Sequence, residues 1–301
     1  MLGPEPGMPD PRARVRAQST PDGGITPRGV TNMNRKQFSA TAIRPLVLRA
    51  LERVNPGDIH IWHPYYPRKV LLHSYHHKGY WFYGKERASD TSAFYARIIQ
   101  PSDNVVEVGA HIGFQTLHFA SLVPQGHVLA FEPGSNNLPY CLHNCAGIPN
   151  VEVRREAVGA ASGTATFFED NLTGQNNSLL PLGAELAQSN ARSSNFGRLS
   201  IVPTTVSVVT LDEATGELPV QFIKVNVEGG EADVLAGAVG VLERSRPTLM
   251  VNVFTPNQDS VWDLLVAKLG YQPATPSGVP ISGPKDLNGH ATFTHPEGPV
   301  R

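Results

Sequence analysis

The stretch Val105-Val-Glu-Val-Gly-Ala-His-Ile-Gly-Phe-Gln-Thr116 constrains this chain more than any other. Its valine-rich run, Val105 to Val108, has the continuous apolar character of a buried strand. Gly109 breaks that strand into a short loop, and Gly113 opens an amphipathic segment, Phe114 to Leu122, that reads as a helix. Strand, glycine turn and helix in this order form the ligand-binding end of a doubly wound sheet, where glycines admit a ligand that a Cβ would repel. The spacing argues against a dinucleotide, because Gly109 and Gly113 are separated by three residues whereas a pyrophosphate needs G-x-G-x-x-G. Glu107, two residues before Gly109, would repel a phosphate and suits a cationic ligand rich in hydrogen-bond donors.

A second acid fits the same ligand. Gly126-His-Val-Leu-Ala-Phe-Glu132 is another apolar run ending in a carboxylate, 25 residues after Glu107. An acid there is positioned to accept hydrogen bonds from both ribose hydroxyls of an adenosine. S-adenosylmethionine combines an adenosine with an amino group and a sulfonium, so it meets both requirements.

A chain of 301 residues with 40% hydrophobic content can bury a full α/β core. Its formal net charge of −1 gives no electrostatic reason to expect nucleic acid or an anionic membrane as partner. No apolar run approaches the ~18 residues of a bilayer span, and the first residues lack the apolar centre of a secretion signal, so a cytoplasmic location is expected. The two cysteines, Cys141 and Cys145, sit four apart on a predicted helix and read as small core-facing side chains.

Residues 1–36, rich in Pro, Gly and Arg, read as a disordered leader. Residues 37–100 read as an extension: a helix from Phe38 to Arg53, then a hairpin joining Lys69–His73 to Tyr80–Tyr83, then a helix from Ser89 to Ile99. Residues 101–301 form the core. Strands at 104–109, 127–132 and 151–157 alternate with helices at 113–123 and 135–146. Further strands are predicted at 163–169, 204–210, 220–227, 248–254 and 290–294, with helices at 231–243 and 258–269. This alternation implies a central, mostly parallel sheet with helices on both faces. The polar segment 170–200 reads as a mobile lid or binding loop.

Several motifs in this order resemble the FkbM-type family of S-adenosylmethionine-dependent methyltransferases. They are Glu107-Val-Gly-Ala-His-Ile-Gly113, Ala130-Phe-Glu-Pro133, Asn150-Val-Glu-Val153 with Ala157-Val-Gly-Ala-Ala-Ser-Gly-Thr-Ala-Thr166, and Val209-Thr-Leu-Asp212. The most specific is Ile223-Lys-Val-Asn-Val-Glu-Gly-Gly-Glu231 with Val234-Leu-Ala-Gly237. It is similar to the family's I-K-I-D-V-E-G-A-E signature, with Asn226 in place of the usual Asp; His111 stands where Asn is common. The resemblance implies a Rossmann-like class I methyltransferase fold and S-adenosylmethionine as donor. It also implies a small-molecule acceptor, a sugar or polyketide hydroxyl. Expected donor contacts are Glu107, Gly109, Ala110, His111, Gly113, Thr116, Glu132, Pro133, Asn136, Glu156, Ala157 and Asn226.

Transfer of a methyl group to an alcohol needs alignment, exclusion of water and a group that takes the hydroxyl proton. On the predicted strand 220–227, Lys224, Asn226 and Glu228 share one face by the two-residue period, at the carboxyl end where ligands bind. Asn226 does not ionise, which leaves Glu228 or a histidine as base. His73, His76, His77 and His111 are the concentration of groups that titrate near neutrality. Glu231 fits the first turn of a helix, where the dipole favours an acid. With a neutral amide at position 226, one carboxylate nearby does not suffice for magnesium, so catalysis without a divalent metal is expected. Two other readings stay open. A nicotinamide-dependent oxidoreductase is disfavoured by Gln115 in place of a third glycine, and by Pro67 within the lone Tyr65-x-x-x-Lys69. A donor-binding protein without turnover would fit Asn226 and His111.

Overall fold

The computed structural model describes residues 53–54, 56–81, 89–171, 173–181 and 200–301. The expected leader, the helix at 38–53 except for its last residue, residues 82–88, and 182–199 of the expected lid lie outside them.

The extension begins with β1 (Asp58–Trp62) and β2 (Lys69–His73), followed by helix α1 (Ser89–Ile98). The core runs β3 (Asn104–Val108), α2 (Phe114–Leu122), β4 (His127–Phe131), α3 (Leu138–Cys145), β5 (Val151–Arg154), β6 (Ala157–Val158) and β7 (Gly163–Asp170). It continues through β8 (Ile201–Val209), α4 (Leu211–Thr215), β9 (Phe222–Val225), α5 (Glu231–Ala236), α6 (Val239–Ser245) and β10 (Thr248–Val253). It ends with α7 (Gln258–Trp262), a π-helical turn (Asp263–Lys268), β11 (Gln272–Ala274) and β12 (Gly289–Thr294).

Seven strands form the central sheet in the order β11-β12-β10-β9-β3-β4-β5. Pairing is parallel from β10 through β9, β3 and β4 to β5, and β12 runs antiparallel beside β10. This is the doubly wound α/β class expected of the sequence. The valines of β3 explain its central place. Val105 packs with Phe119, Val128 and Phe222 on the α1–α2 side, while Val106 and Val108 pack with Ile223, Val234 and Leu242 on the α5–α6 side. A strand apolar on both faces is stable only when helices cover both. A second sheet, β6-β8-β7, stands beside the first. The glutamine side chain of Gln221 and the Arg301 guanidinium, which pairs with Asp103, tie down the chain's last residues.

Several boundaries differ from the periodicity. β2 pairs with β1, and Tyr80 of the expected partner strand lies in a 3₁₀ turn; residues 82 and 83 of that strand lie outside the described residues. The turn-rich Pro64–Pro67 closes that hairpin, whereas the His73 imidazole Nδ1 accepts the N–H groups of Tyr75 and His76 and turns the chain into a 3₁₀ turn at Lys78–Tyr80. The helix expected at 231–243 breaks at Gly237, where an added Cβ would stand 2.1 Å from the Gly159 carbonyl oxygen. The Asp212 carboxylate then accepts the N–H groups of Gly240 and Val241, fixing the start of α6. The strand expected at 151–157 divides into β5 and β6, which join different sheets.

Candidate active site

Between β3 and β9 the strand order reverses: β4 and β5 build outward on one side, β10 and β12 on the other. Open α/β sheets bind ligands at such a point, beyond the carboxyl ends of the strands. There the loops after β3, β4 and β9 open into a cavity of about 870 Å³. Its far wall is aromatic, built by Trp62, Tyr65, Tyr80, Trp81 and Tyr95 of the extension with Phe114 of α2.

At the end of β3, Glu107 is fully buried and faces Lys224, its register partner on β9. The Lys224 ammonium donates to Glu107 Oε1 at 3.0 Å and to the Gly109 carbonyl at 3.0 Å, and Thr116 Oγ1 donates to Glu107 Oε2 at 2.6 Å. The acid expected to meet a cation from the ligand is thus already matched by one from the protein. Thr116 supports Glu107 and does not line the cavity.

The two glycines of the loop serve different neighbours. Gly109 lines the cavity with φ +85°, and an added Cβ would come within 2.1 Å of the Asn226 backbone oxygen. The close approach is to the exit of the neighbouring strand β9. Gly113, φ +79°, has the Cys145 and Cys141 sulfurs 2.9 and 3.3 Å from its would-be Cβ. It allows α2 and α3 to meet and is absent from the cavity wall, so Gly113 is corrected from a donor contact to a packing residue.

Glu132, just past β4, is buried on the cavity wall. Its Oε2 accepts the His111 N–H at 2.7 Å and its Oε1 the Gly134 N–H at 3.0 Å. Burial pushes this carboxyl up to about 7, against the lowering effect of those N–H groups. Pro133, Ala110, Glu156 and Ala157 share the wall, with Glu156 ion-paired to Arg154. Asn136 is elsewhere: it donates to the Asp170 carbonyl and accepts from the Asn177 amide, so both ends of its side chain hold the loop after β7.

That loop is organised by Asp170, whose carboxylate accepts the N–H groups of Thr173, Gly174 and Asn176. Burial raises the Asp170 carboxyl, but these donors together bring it below its ordinary range. Gly174, Gln175, Asn177 and Leu179 reach the cavity. Residues 173–181 of the expected lid are therefore a built wall.

His111 takes a left-handed backbone, φ 55°. Its Nδ1 lies 2.9 Å from the Tyr80 hydroxyl and its Nε2 3.1 Å from the Thr173 carbonyl. The carbonyl can only accept, so the imidazole donates from Nε2 and accepts at Nδ1. Burial pushes His111 down to about 4. Neutral and bonded at both nitrogens, it has no lone pair for an acceptor proton. His77 is buried below it, its Nδ1 accepting the His73 N–H, and neither His73, His76 nor His77 lines the cavity. The histidine cluster is a folded corner of the extension.

The turn after β9 supplies the rest. Asn226 accepts from the Asn252 side chain of β10 at 2.7 Å, and His290 of β12 stands in register with Asn252. Glu228 lines the cavity with φ 54° and makes no hydrogen bond to any described residue. Burial, reinforced by the neighbouring Glu231 charge, pushes its carboxyl up to about 8. Glu231 is fully buried and accepts from Gly229 N–H and the Asn257 amide, so it holds the turn in shape. Among the described residues no three His, Cys, Asp or Glu side chains gather as a metal site.

Residues 107–273, more than half of the chain, match the family described as the methyltransferase FkbM domain. The chain belongs to the FkbM methyltransferase family. The family's methyl donor is S-adenosylmethionine. The chain is similar to Methyltransferase 1 of Beauveria bassiana (strain ARSEF 2860), 31% identical over 185 residues that cover 56% of this chain and 70% of that one. Among solved structures it is similar to the FkbM methyltransferase of Methylobacillus flagellatus KT, 15% identical with a TM-score of 0.41, covering 64% of this chain and 44% of that one. It is also similar to an rRNA methylase of Streptococcus thermophilus, 14% identical with a TM-score of 0.40, covering 70% and 97%. The chain thus spans less than half of the FkbM structure.

Three pairings escaped the sequence reading: Lys224 with Glu107, Asn252 with Asn226, and Tyr80 with His111. For Lys224 a signal existed. A lysine inside an apolar strand requires a buried counter-charge, and Glu107 stands in another apolar strand. The other two pairings depend on which strands and loops become neighbours.

Proposed function

We propose that this chain is an S-adenosylmethionine-dependent O-methyltransferase acting in the cytoplasm on a hydroxyl of a small molecule, a sugar or polyketide-type natural product. The observation that supports this most is a pair of unlike carboxylates on one cavity wall. Glu132 is fixed by two backbone N–H groups yet keeps lone pairs for two ribose hydroxyls. Glu228 accepts no hydrogen bond from any described residue and its carboxyl is pushed up to about 8, close enough to neutral pH for its ionised form to be a stronger base than an ordinary carboxylate. The donor supplies an electrophilic methyl group on a cationic sulfur.

In this reading Gly109, Ala110, His111, Pro133, Glu156 and Ala157 line the donor's part of the cavity, while Glu107, through Lys224, holds the glycine loop against β9. Asn226, steadied by Asn252, orients the acceptor hydroxyl or the donor's amino group. The rings of Tyr65, Tyr80 and Trp81 suit the flat, apolar faces of a sugar or polyketide ring. A small acceptor fits better than nucleic acid, because Lys224 is the one Lys or Arg among the described residues on the cavity wall, and it is already paired.

The test is transfer of a labelled methyl group from the donor to a panel of sugars, hydroxylated polyketides and RNA, with Glu228→Gln beside the natural protein. Transfer to a hydroxyl that falls roughly 10²-fold or more in Glu228→Gln supports the reading. Donor binding without turnover over the whole panel supports a binding protein instead, and transfer to RNA overturns the small-molecule acceptor.

A further inference from the structure

We propose that Glu228 follows the charge of the bound donor: it is a neutral acid in the empty cavity and beside adenosylhomocysteine, and it releases its proton when cationic S-adenosylmethionine binds. This rests on the proposed function, since it needs the donor in this cavity and Glu228 beside the reacting atoms.

Among the described residues the geometry gives the charged form of Glu228 no hydrogen bond. Glu132, Asp170 and Glu231, in contrast, each receive at least two. The charges that act on it come from three elements. Glu231 on α5 and Asp170 at the end of β7 oppose ionisation, and Lys224 on β9 favours it. Lys224, however, spends its charge at 3.0 Å on Glu107. Among the described residues the other ionisable groups of the cavity add no free cation: Glu156 is paired with Arg154, burial pushes His63, His111 and His290 down, and burial pushes Glu132 up. What would ionise Glu228 is a positive charge brought from outside.

S-adenosylmethionine brings a sulfonium and adenosylhomocysteine does not; the ammonium and carboxylate that both carry cancel in net charge. Attraction between unit charges falls only as the inverse of distance and is screened less on a partly buried wall than in bulk water, so the sulfonium acts on Glu228 without contact. Half-buried on the cavity wall, without a hydrogen-bond donor among the described residues and beside Glu231, the Glu228 carboxyl is pushed up to about 8. Near pH 7 the protonated form therefore prevails, and a modest favourable field reverses that balance.

The cycle balances. Donor binding sends the Glu228 proton to solvent. As the acceptor's O–H bond breaks, the carboxylate takes that proton. The oxygen forms its bond to the methyl carbon, and the carbon–sulfur bond breaks with its electron pair passing to sulfur. The product complex then holds a neutral acid beside a neutral thioether, and no unpaired charge remains.

The experiment is isothermal titration of the full chain near pH 7 in buffers of different ionisation enthalpy, which counts protons exchanged on binding. The ligands are S-adenosylmethionine, adenosylhomocysteine and sinefungin, whose ammonium replaces the sulfonium. The two cationic ligands should each release about half a proton or more beyond adenosylhomocysteine. In Glu228→Gln the excess should vanish while adenosylhomocysteine still binds. Equal proton counts for all three ligands in the natural protein overturn the inference and leave the proposed function standing. An excess that persists in Glu228→Gln assigns the titration to another group and also overturns it. Failure of all three ligands to bind overturns the proposed function with it.

Discussion

The exit of β4 and the turn after β9 each present a glutamate to the same cavity, and the fold treats them differently. Around Glu132 the chain turns two backbone N–H groups inward, so the carboxylate has a fixed orientation. Around Glu228 no described residue turns one inward, and the residue sits in a left-handed backbone that a bulky side chain rarely adopts. Donors around a carboxylate give a rigid acceptor of hydrogen bonds; their absence gives an acid whose protonation depends on its surroundings. One wall of the cavity is built to hold and the other is left to change.

The comparison breaks most severely at the junction of the two regions. Gly109→Ala should destabilise the protein by about 3 kcal/mol or more, because its Cβ meets the Asn226 backbone and its φ is +85°. Denaturant unfolding measures it; a stable variant would show that the β9 exit can withdraw from the glycine loop. Lys224→Met comes next, at about 3 kcal/mol, since it strands the buried Glu107 charge. Adding Glu107→Gln should recover part of the loss, and a double variant no better than the single one would mean the pair is not coupled.

Glu132→Ala should weaken adenosylhomocysteine binding about 10- to 150-fold, the equivalent of ~1.5–3 kcal/mol of charge-assisted hydrogen bonds. Calorimetry decides it, with unchanged affinity removing Glu132 from the donor site.

A smaller effect concerns pH. Burial raises both Glu132, to about 7, and Glu228, to about 8, above the ordinary carboxyl value of 4.5. The folded state therefore binds more protons than the unfolded state between those values, and stability falls as pH rises through that window. Melting of the ligand-free protein from pH 5 to 9 should show this decline, and Glu228→Gln should flatten its upper part. A decline unchanged in Glu228→Gln would separate stability from that turn. Smallest of all, excess chelator should leave the rate of methyl transfer intact, whereas restoration of lost activity by magnesium would reveal a metal site at the bare wall.

Most of the sheet was legible because its strands are short, apolar and punctuated by glycine or acid. β3, β4 and β10 fall within one residue of their expected bounds, since a strand buried on both faces leaves no ambiguity of pattern. The positions of Glu107 and Glu132 at the ends of β3 and β4 were legible for the same reason: each acid stands at the end of an apolar run or next to it. The acceptor side was not. Whether His77 faces a substrate or the core depends on the 3₁₀ turn at Lys78–Tyr80, and that turn is set by a hydrogen bond to His73. Asn136 reads as a ligand contact until Asp170 and Asn177 arrive from some forty residues away. Gly113 and the two cysteines were each read alone, yet each is small because of the other.

The hydrogen bonds around His111 have a consequence for how the protein acquires its shape. Its imidazole ties together segments 31 residues before it and 62 after it, and the Glu107–Lys224 pair closes a separation of 117. Contacts between such distant parts of a chain form after local ones, because loop closure must precede any gain from them. The sheet and its helices can therefore assemble before the glycine loop has its final partners. Refolding followed by pulsed hydrogen exchange would register this as strands protected early and the amide of His111, held by Glu132, protected among the last.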